Sequence, residues 1–234
     1  MGASGRNASP FRLTGDPVPV TPRNPDMRNL FPSLLAPALL LAPSAQADAP
    51  PDLYFDVYRN GTPFGEHVVR FEETLDGRTL VDIEIELSVR LGPITLFRYE
   101  HQAAEVWREG ELIGFTSNTL RDGERLRTEI IRESADQLRS PAGVLPDLPP
   151  SSHWQGYAPG LTEILNTETG EPMDVEVTDL GPDLFEAPEG PVSARRYRMQ
   201  GSLTVDLWYD ETGRWIGCAF DARGQEIVYR LRDA

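Results

Sequence analysis

The 234-residue sequence predicts an all-β protein: a large curved antiparallel sheet forming an open or nearly closed barrel, with an irregular Pro-rich crossover and few helices. Three observations lead there. From Leu53 onward, apolar and polar residues alternate with period two, the mark of strands with one dry face. Short Gly-containing turns separate these runs, which favours hairpins and an antiparallel meander. No repeat of fixed period interrupts the pattern.

The first 47 residues stand apart from that pattern. Residues 1–26 are rich in Pro, Gly, Ser and Arg without apolar periodicity, and read as a non-native or disordered leader. Met27-Arg28-Asn29 then supplies a positive start, Leu30 to Leu41 an apolar run, and Ala45-Gln46-Ala47 a small-residue cleavage site. That order is a secretory signal peptide over 27–47. The apolar run holds Pro32 and Pro37 and is shorter than the roughly 20 residues a bilayer crossing takes. Met27 is the expected initiator, with a disordered leader before an internal signal as the alternative. Cleavage following Ala47 would release a single domain, 48–234, into the periplasm or the medium. No Cys near the junction offers a lipid anchor, and no Arg-Arg pair marks the twin-arginine route, so no stable membrane anchor is expected.

Leu53 to Arg59 and Glu66 to Phe71 flank a Gly-rich turn, Asn60 to Gly65, and form a hairpin-like pair. After Asp76-Gly77 comes the clearest strand, with Val81, Ile83, Ile85, Leu87 and Val89 alternating against Asp82, Glu84, Glu86, Ser88 and Arg90. Ile94 to Arg108 reads as a long strand whose pattern changes phase near Glu100-His101, which predicts a bulge there. Glu109-Gly110 and Asp122-Gly123 turn the chain into Leu112 to Leu120 and Leu126 to Glu133. Ser140 to Gly160 breaks the rhythm. It is rich in Pro yet carries Val144, Leu145, Leu148, Trp154 and Tyr157, and so reads as a packed crossover or flap with one helical turn near Ser151 to Gln155. Strands resume at Met173 to Thr178, Ala194 to Met199, Leu203 to Tyr209, Trp215 to Phe220 and Ile227 to Leu231, about ten in all.

Composition narrows the chemistry. The net charge is −15, and removing residues 1–47 makes it more negative, so nucleic acid is not an expected partner. All 22 basic residues are Arg, which excludes lysine Schiff bases, lysine general bases and phosphate-loop lysines. Cys218 is the single cysteine, so no intramolecular disulfide forms, and its apolar neighbours Trp215 to Phe220 make it a buried small residue. There is no Gly-x-Ser-x-Gly elbow, Gly-x-Gly-x-x-Gly loop or His-Glu-x-x-His helix.

His67, His101 and His153 are too far apart along the chain for a local metal-ligand pair, so neither metal nor other cofactor is expected. On a strand, His101 and Glu105 lie about 13 Å apart, too far to share an ion. Glu100, His101 and Glu105 read as cross-strand partners of Arg98 and Arg108, and Asp82, Glu84 and Glu86 as a charged solvent face. Ser152-His153-Trp154 is the most pointed feature, because a Trp beside a His in an irregular apolar segment can stack on a ligand, cap a barrel or plug its core. No catalytic set is assigned. The candidate ligand-binding residues are Trp154, His153, Tyr157, Trp107 and Tyr99.

Several pieces recur in a familiar order: Asn60-Gly61 with Gly65, Phe97-Arg98-Tyr99 with His101, Glu105-Val106-Trp107, Ser152 with Trp154, Ala194 with Arg196-Tyr197, and Leu207-Trp208-Tyr209-Asp210. From Leu53 to Leu231 the chain resembles an uncharacterised family of exported bacterial β-rich proteins, a domain of unknown function. More distantly, it is similar in pattern to periplasmic lipoprotein-carrier half-barrels, whose concave side holds acyl chains. The resemblance implies fold and compartment, and it supplies no catalytic residue. The expectation is a non-enzymatic protein that binds or carries an apolar small molecule or lipid. The alternatives are an envelope hydrolase using carboxylates and His101, and a scaffold for an envelope protein partner.

Overall fold

The computed structural model describes residues 49–234; the leader, the signal segment and its cleavage junction lie outside the described residues. β1 (Leu53–Arg59), β2 (Thr62–Glu73), β3 (Arg78–Leu91), β4 (Ile94–Arg108), β5 (Glu111–Arg121), β6 (Glu124–Ser134), β7 (Gln137–Ser140) and β8 (Gly143–Pro146) follow one another as a meander. A two-stranded sheet, β9 (Glu163–Leu165) with β10 (Pro172–Asp174), comes next. β11 (Glu176–Ala187), β12 (Gly190–Gln200), β13 (Thr204–Tyr209), β14 (Trp215–Ala222) and β15 (Gln225–Leu231) form a second meander. β15 pairs with β1, Phe55 opposite Leu231, and this joins the two meanders into one 13-stranded antiparallel sheet running from β11 to β8.

Local sequence explains the hairpins. Asn60-Gly61, Glu109-Gly110, Asp122-Gly123 and Arg223-Gly224 all have positive φ at both positions, the twist that two-residue hairpin turns demand. Register then follows the alternation. Val81, Ile83 and Leu87 of β3 are buried while Asp82 and Glu86 are exposed, so the dry face is the predicted one. Inner-face residues of β2–β5 and of β12–β15 border one common cavity, which requires the sheet to curl. It does not close by pairing its edges. Crossover backbone pairs with the β11 edge instead: Val177 N–H donates to Leu161 C=O and Gly160 N–H donates to Val177 C=O, while within the crossover Leu165 N–H donates to Pro149 C=O.

Five expectations change. The described residues form fifteen strands rather than about ten, because β7 to β9 are short and the β11–β12 hairpin carries exposed apolar residues such as Leu184 that blur its alternation. The crossover expected from Ser140 begins only after Pro146, since Gly143–Pro146 pairs with β7 as a strand of the main sheet; the described residues contain no helix. The expected helical turn at Ser151 to Gln155 is a pair of tight turns around His153, whose φ of 67° breaks any helical path. Finally, β4 has no bulge at Glu100-His101. Its pairing to β3 runs unbroken from Arg78–Arg108 to Val89–Phe97, and the register shifts lie at Val89/Arg90 and, against β5, at Val106/Trp107. The apparent phase change arises because two polar residues, His101 and Glu105, occupy the inner face.

The core sits inside the curl. Phe55, Leu207, Trp215, Ile216 and Leu231 are essentially solvent-free, and Phe55 lies 4.3 Å from the Trp215 ring centroid to centroid. Each such side chain stabilises the fold by about 1.5–3 kcal/mol through burial.

Candidate functional site

β4 presents Tyr99, His101, Ala103, Glu105 and Trp107 on one face, opposite the β3 residues Leu87, Ile85, Ile83, Val81 and Thr79. The period of two fixes this placement once Ala103 and Trp107 are buried. Glu105 is therefore interior, 1 % exposed, and its Oε2 accepts two indole N–H bonds, from Trp107 at 2.8 Å and from Trp154 at 3.0 Å. Trp154 packs edge-on against Trp107 and Phe71, with centroids 5.4 and 5.0 Å away. A buried carboxyl on β4 thus pins the crossover to the sheet. Burial pushes that carboxyl up, against hydrogen bonds from Trp154, Trp107 and Ser152.

Other inner-face groups hold the crossover further along. Ser117 Oγ donates to Thr167 C=O, and Thr128 Oγ1 donates to Glu168 C=O at 2.8 Å. Tyr209 donates to His153 C=O at 2.8 Å, Tyr157 donates to Pro150 C=O at 3.0 Å, and His153 Nδ1 lies 2.8 Å from the Tyr157 hydroxyl. His153 keeps its left-handed backbone because these neighbours over-determine it.

Beneath the crossover lies a cavity of about 370 Å³. Its walls are mainly apolar, including Ile83, Ile85, Ile164, Met199, Trp215 and Phe220, and all three histidines line it. On the exposed rim, Tyr99 donates to Glu168 at 2.9 Å and Arg121 pairs with Glu168 at 3.2 Å. His101 Nδ1 shares a hydrogen bond with Thr119 at 2.8 Å. His67 is 3 % exposed, and neither ring nitrogen has a partner among the described residues. Burial lowers the imidazole pKa values to about 3 for His67, with His153 and His101 adding to the effect, and to about 4 for His101 and for His153. Burial likewise pushes the Cys218 thiol up, so it stays protonated and inert. At neutral pH the inner wall carries no imidazolium.

Of the residues singled out in the sequence, Tyr99 and His153 line the cavity. Trp154, Trp107 and Tyr157 lie behind it, as the joint between crossover and sheet. Glu100 accepts from Arg98 at 2.6 Å, but along β4 itself; its cross-strand neighbours are Glu86 and Leu120, so the expected cross-strand pairing is absent. For His101 and Glu105 it is replaced by interior contacts, since both point away from solvent and out of reach of Arg98 and Arg108. The cavity-lining residues His67, Cys218, Trp215 and Tyr229 are not among the candidates that the sequence singled out. A parity signal existed for His67, which alternates with Val69 and Phe71 on the dry side of β2. No histidine is paired with a carboxylate among the described residues, and no three His, Cys, Asp or Glu there form a group able to hold a metal ion.

A family model described as a domain of unknown function (DUF6134) matches residues 55–232. No curated protein matches the chain. Among solved structures, the beta-barrel-like protein of domain of unknown function DUF1849 from Brucella abortus is similar in fold, with a TM-score of 0.52 at 9 % identity. The alignment covers 76 % of this chain and 95 % of that one.

Proposed function

The chain belongs to the DUF6134 family, a domain of unknown function, and we propose that it is an exported binding protein that holds an apolar, lipid-like molecule in the cavity under its crossover. The observation that carries this reading is the void of about 370 Å³ itself, walled by aliphatic and aromatic side chains and roofed by a crossover with its own polar anchors. Its volume falls within the range of small-molecule sites, about 300–1,000 Å³. Each methylene buried there gains about 0.8 kcal/mol, so a chain of roughly ten methylenes offsets the ordering costs of binding. The place of action is the periplasm or cell exterior after cleavage following Ala47, and the acidic surface argues against polyanion partners. The hydrolase alternative draws no support from this geometry, because His101 meets Thr119 and Glu105 meets two indoles.

Titration with the neutral fluorescent probe N-phenyl-1-naphthylamine tests the reading. One molecule should bind per chain. Ile85→Trp, which places an indole into the cavity, should weaken binding at least tenfold, while Glu84→Gln on the opposite face should leave it unchanged. Absence of probe binding by the folded wild type, or equal binding by the Ile85→Trp variant, overturns it.

A further inference from the structure

We infer that the ligand is an uncharged amphiphile bearing a hydroxyl, and that His67 is the residue that reads the hydroxyl. This rests on the reading that the cavity holds a ligand, and it names the polar group of that ligand. His67 reaches the cavity from β2 inside an aromatic wall, its ring centroid 5.3 Å from Trp215, 5.7 Å from Phe55 and 5.8 Å from Tyr229. Both ring nitrogens are buried without a partner among the described residues. A neutral imidazole offers one N–H and one lone pair, and leaving either bare in such surroundings is costly. A hydroxyl donates and accepts at once, so it satisfies whichever nitrogen it meets.

Several other polar side chains around the cavity already have a partner on one atom, whereas His67 has none on either nitrogen among the described residues. His101 Nδ1 meets Thr119 and His153 Nδ1 meets Tyr157, while Glu105, which does not line the cavity, is held through Oε2 by Trp107 and Trp154. The rim charges Arg121 and Glu168 offset each other. His67 itself remains neutral far below pH 7. A carboxylate or ammonium brought to His67 would lose its water and meet no counter-charge, whereas a hydroxyl loses little and gains a bond. The geometry therefore selects against charge at its deep end.

Displacement of bound N-phenyl-1-naphthylamine from the full chain at pH 7.5, by 1-decanol, decanoate or decylammonium, tests this. Decanol should compete at a concentration at least tenfold below either ion. His67→Leu should bring the alcohol-to-carboxylate preference to near unity, and His67→Gln, which keeps a donor and an acceptor, should retain most of it. Nitrogen-15 spectra of the wild-type imidazoles supply a measurement that needs no variant: decanol should shift the His67 ring nitrogens. Equal competition by the three compounds, an unchanged preference in His67→Leu, or unmoved His67 resonances on decanol binding (a water or plain packing at that ring) overturns the assignment while leaving cavity binding intact. Failure of the probe to bind at all removes the cavity reading instead.

Discussion

Among single residues, Glu105 ties the Pro-rich crossover to β4 through Trp154. Its carboxyl oxygen serves two indole N–H donors from different parts of the chain, so removing it strands both. An unsatisfied buried donor costs about 1–3 kcal/mol. Glu105→Leu should therefore destabilise by roughly 2–5 kcal/mol in urea melts, whereas Glu105→Gln, which keeps an acceptor oxygen, should cost about 1 kcal/mol. The sequence marked Glu105-Val106-Trp107 and Trp154 as distinctive pieces. It did not reveal that they meet, because 49 residues separate Glu105 from Trp154 and no spacing rule links a strand to a Pro-rich loop. The same reason hid His67: its parity on β2 was legible, but its lack of a partner depends on what β1, β14 and β15 bring beside it.

At the level of elements, the strands place the crossover, and crossover backbone pairs with the β11 edge. Ser117 and Thr128 are polar residues on a dry face, paired across β5 and β6, and both spend their hydroxyls on carbonyls of the 166–170 loop. The double variant Ser117→Ala, Thr128→Val should leave the sheet folded but raise amide exchange in residues 150–170 by at least tenfold, since roughly 1 kcal/mol is lost per bond. On β14, Gly217 marks a close approach of another kind. A Cβ there would stand 2.1 Å from the Phe185 ring and 2.6 Å from Tyr229 C=O, so β11 could not pack its Phe185 against that strand. Gly217→Ala should cost several kcal/mol, on the scale of an overpacked core, read as a lowered denaturation midpoint with an unchanged slope.

For the molecule as a whole, three buried imidazoles make stability depend on pH. Their folded pKa values of about 3, 4 and 4 lie below the unfolded value of 6.5, so the unfolded chain takes up these protons first. The stability associated with neutral histidines is complete above pH 6.5. It is lost as pH falls toward 4, and for His67 toward 3. Each pKa unit is worth about 1.4 kcal/mol, so the total is several kcal/mol. Glu105, pushed up by burial, works in the opposite sense: it favours the folded state at low pH and loses that contribution as pH rises through its folded pKa. Denaturation midpoints measured from pH 7 to 4 should fall, and His67→Leu should flatten the slope by about one proton. A slope identical to wild type in that variant would mean that His67 takes its proton equally in both states.

Alternation and Gly turns by themselves determined the all-β class, the antiparallel order of neighbouring strands and the buried side of β3, because pleat and turn geometry are local properties. Apolar patterning also placed Cys218 inside, while the break read at Ser140 fell before the crossover, because Gly143–Pro146 still pairs as a strand. Only the tertiary structure decided that β15 closes onto β1, that crossover backbone pairs with the β11 edge, and that His67, His101 and His153 face one cavity. Those outcomes depend on how far a long sheet curls, which is set by the accumulated twist and bulges of thirteen strands together. No window of the sequence contains that sum.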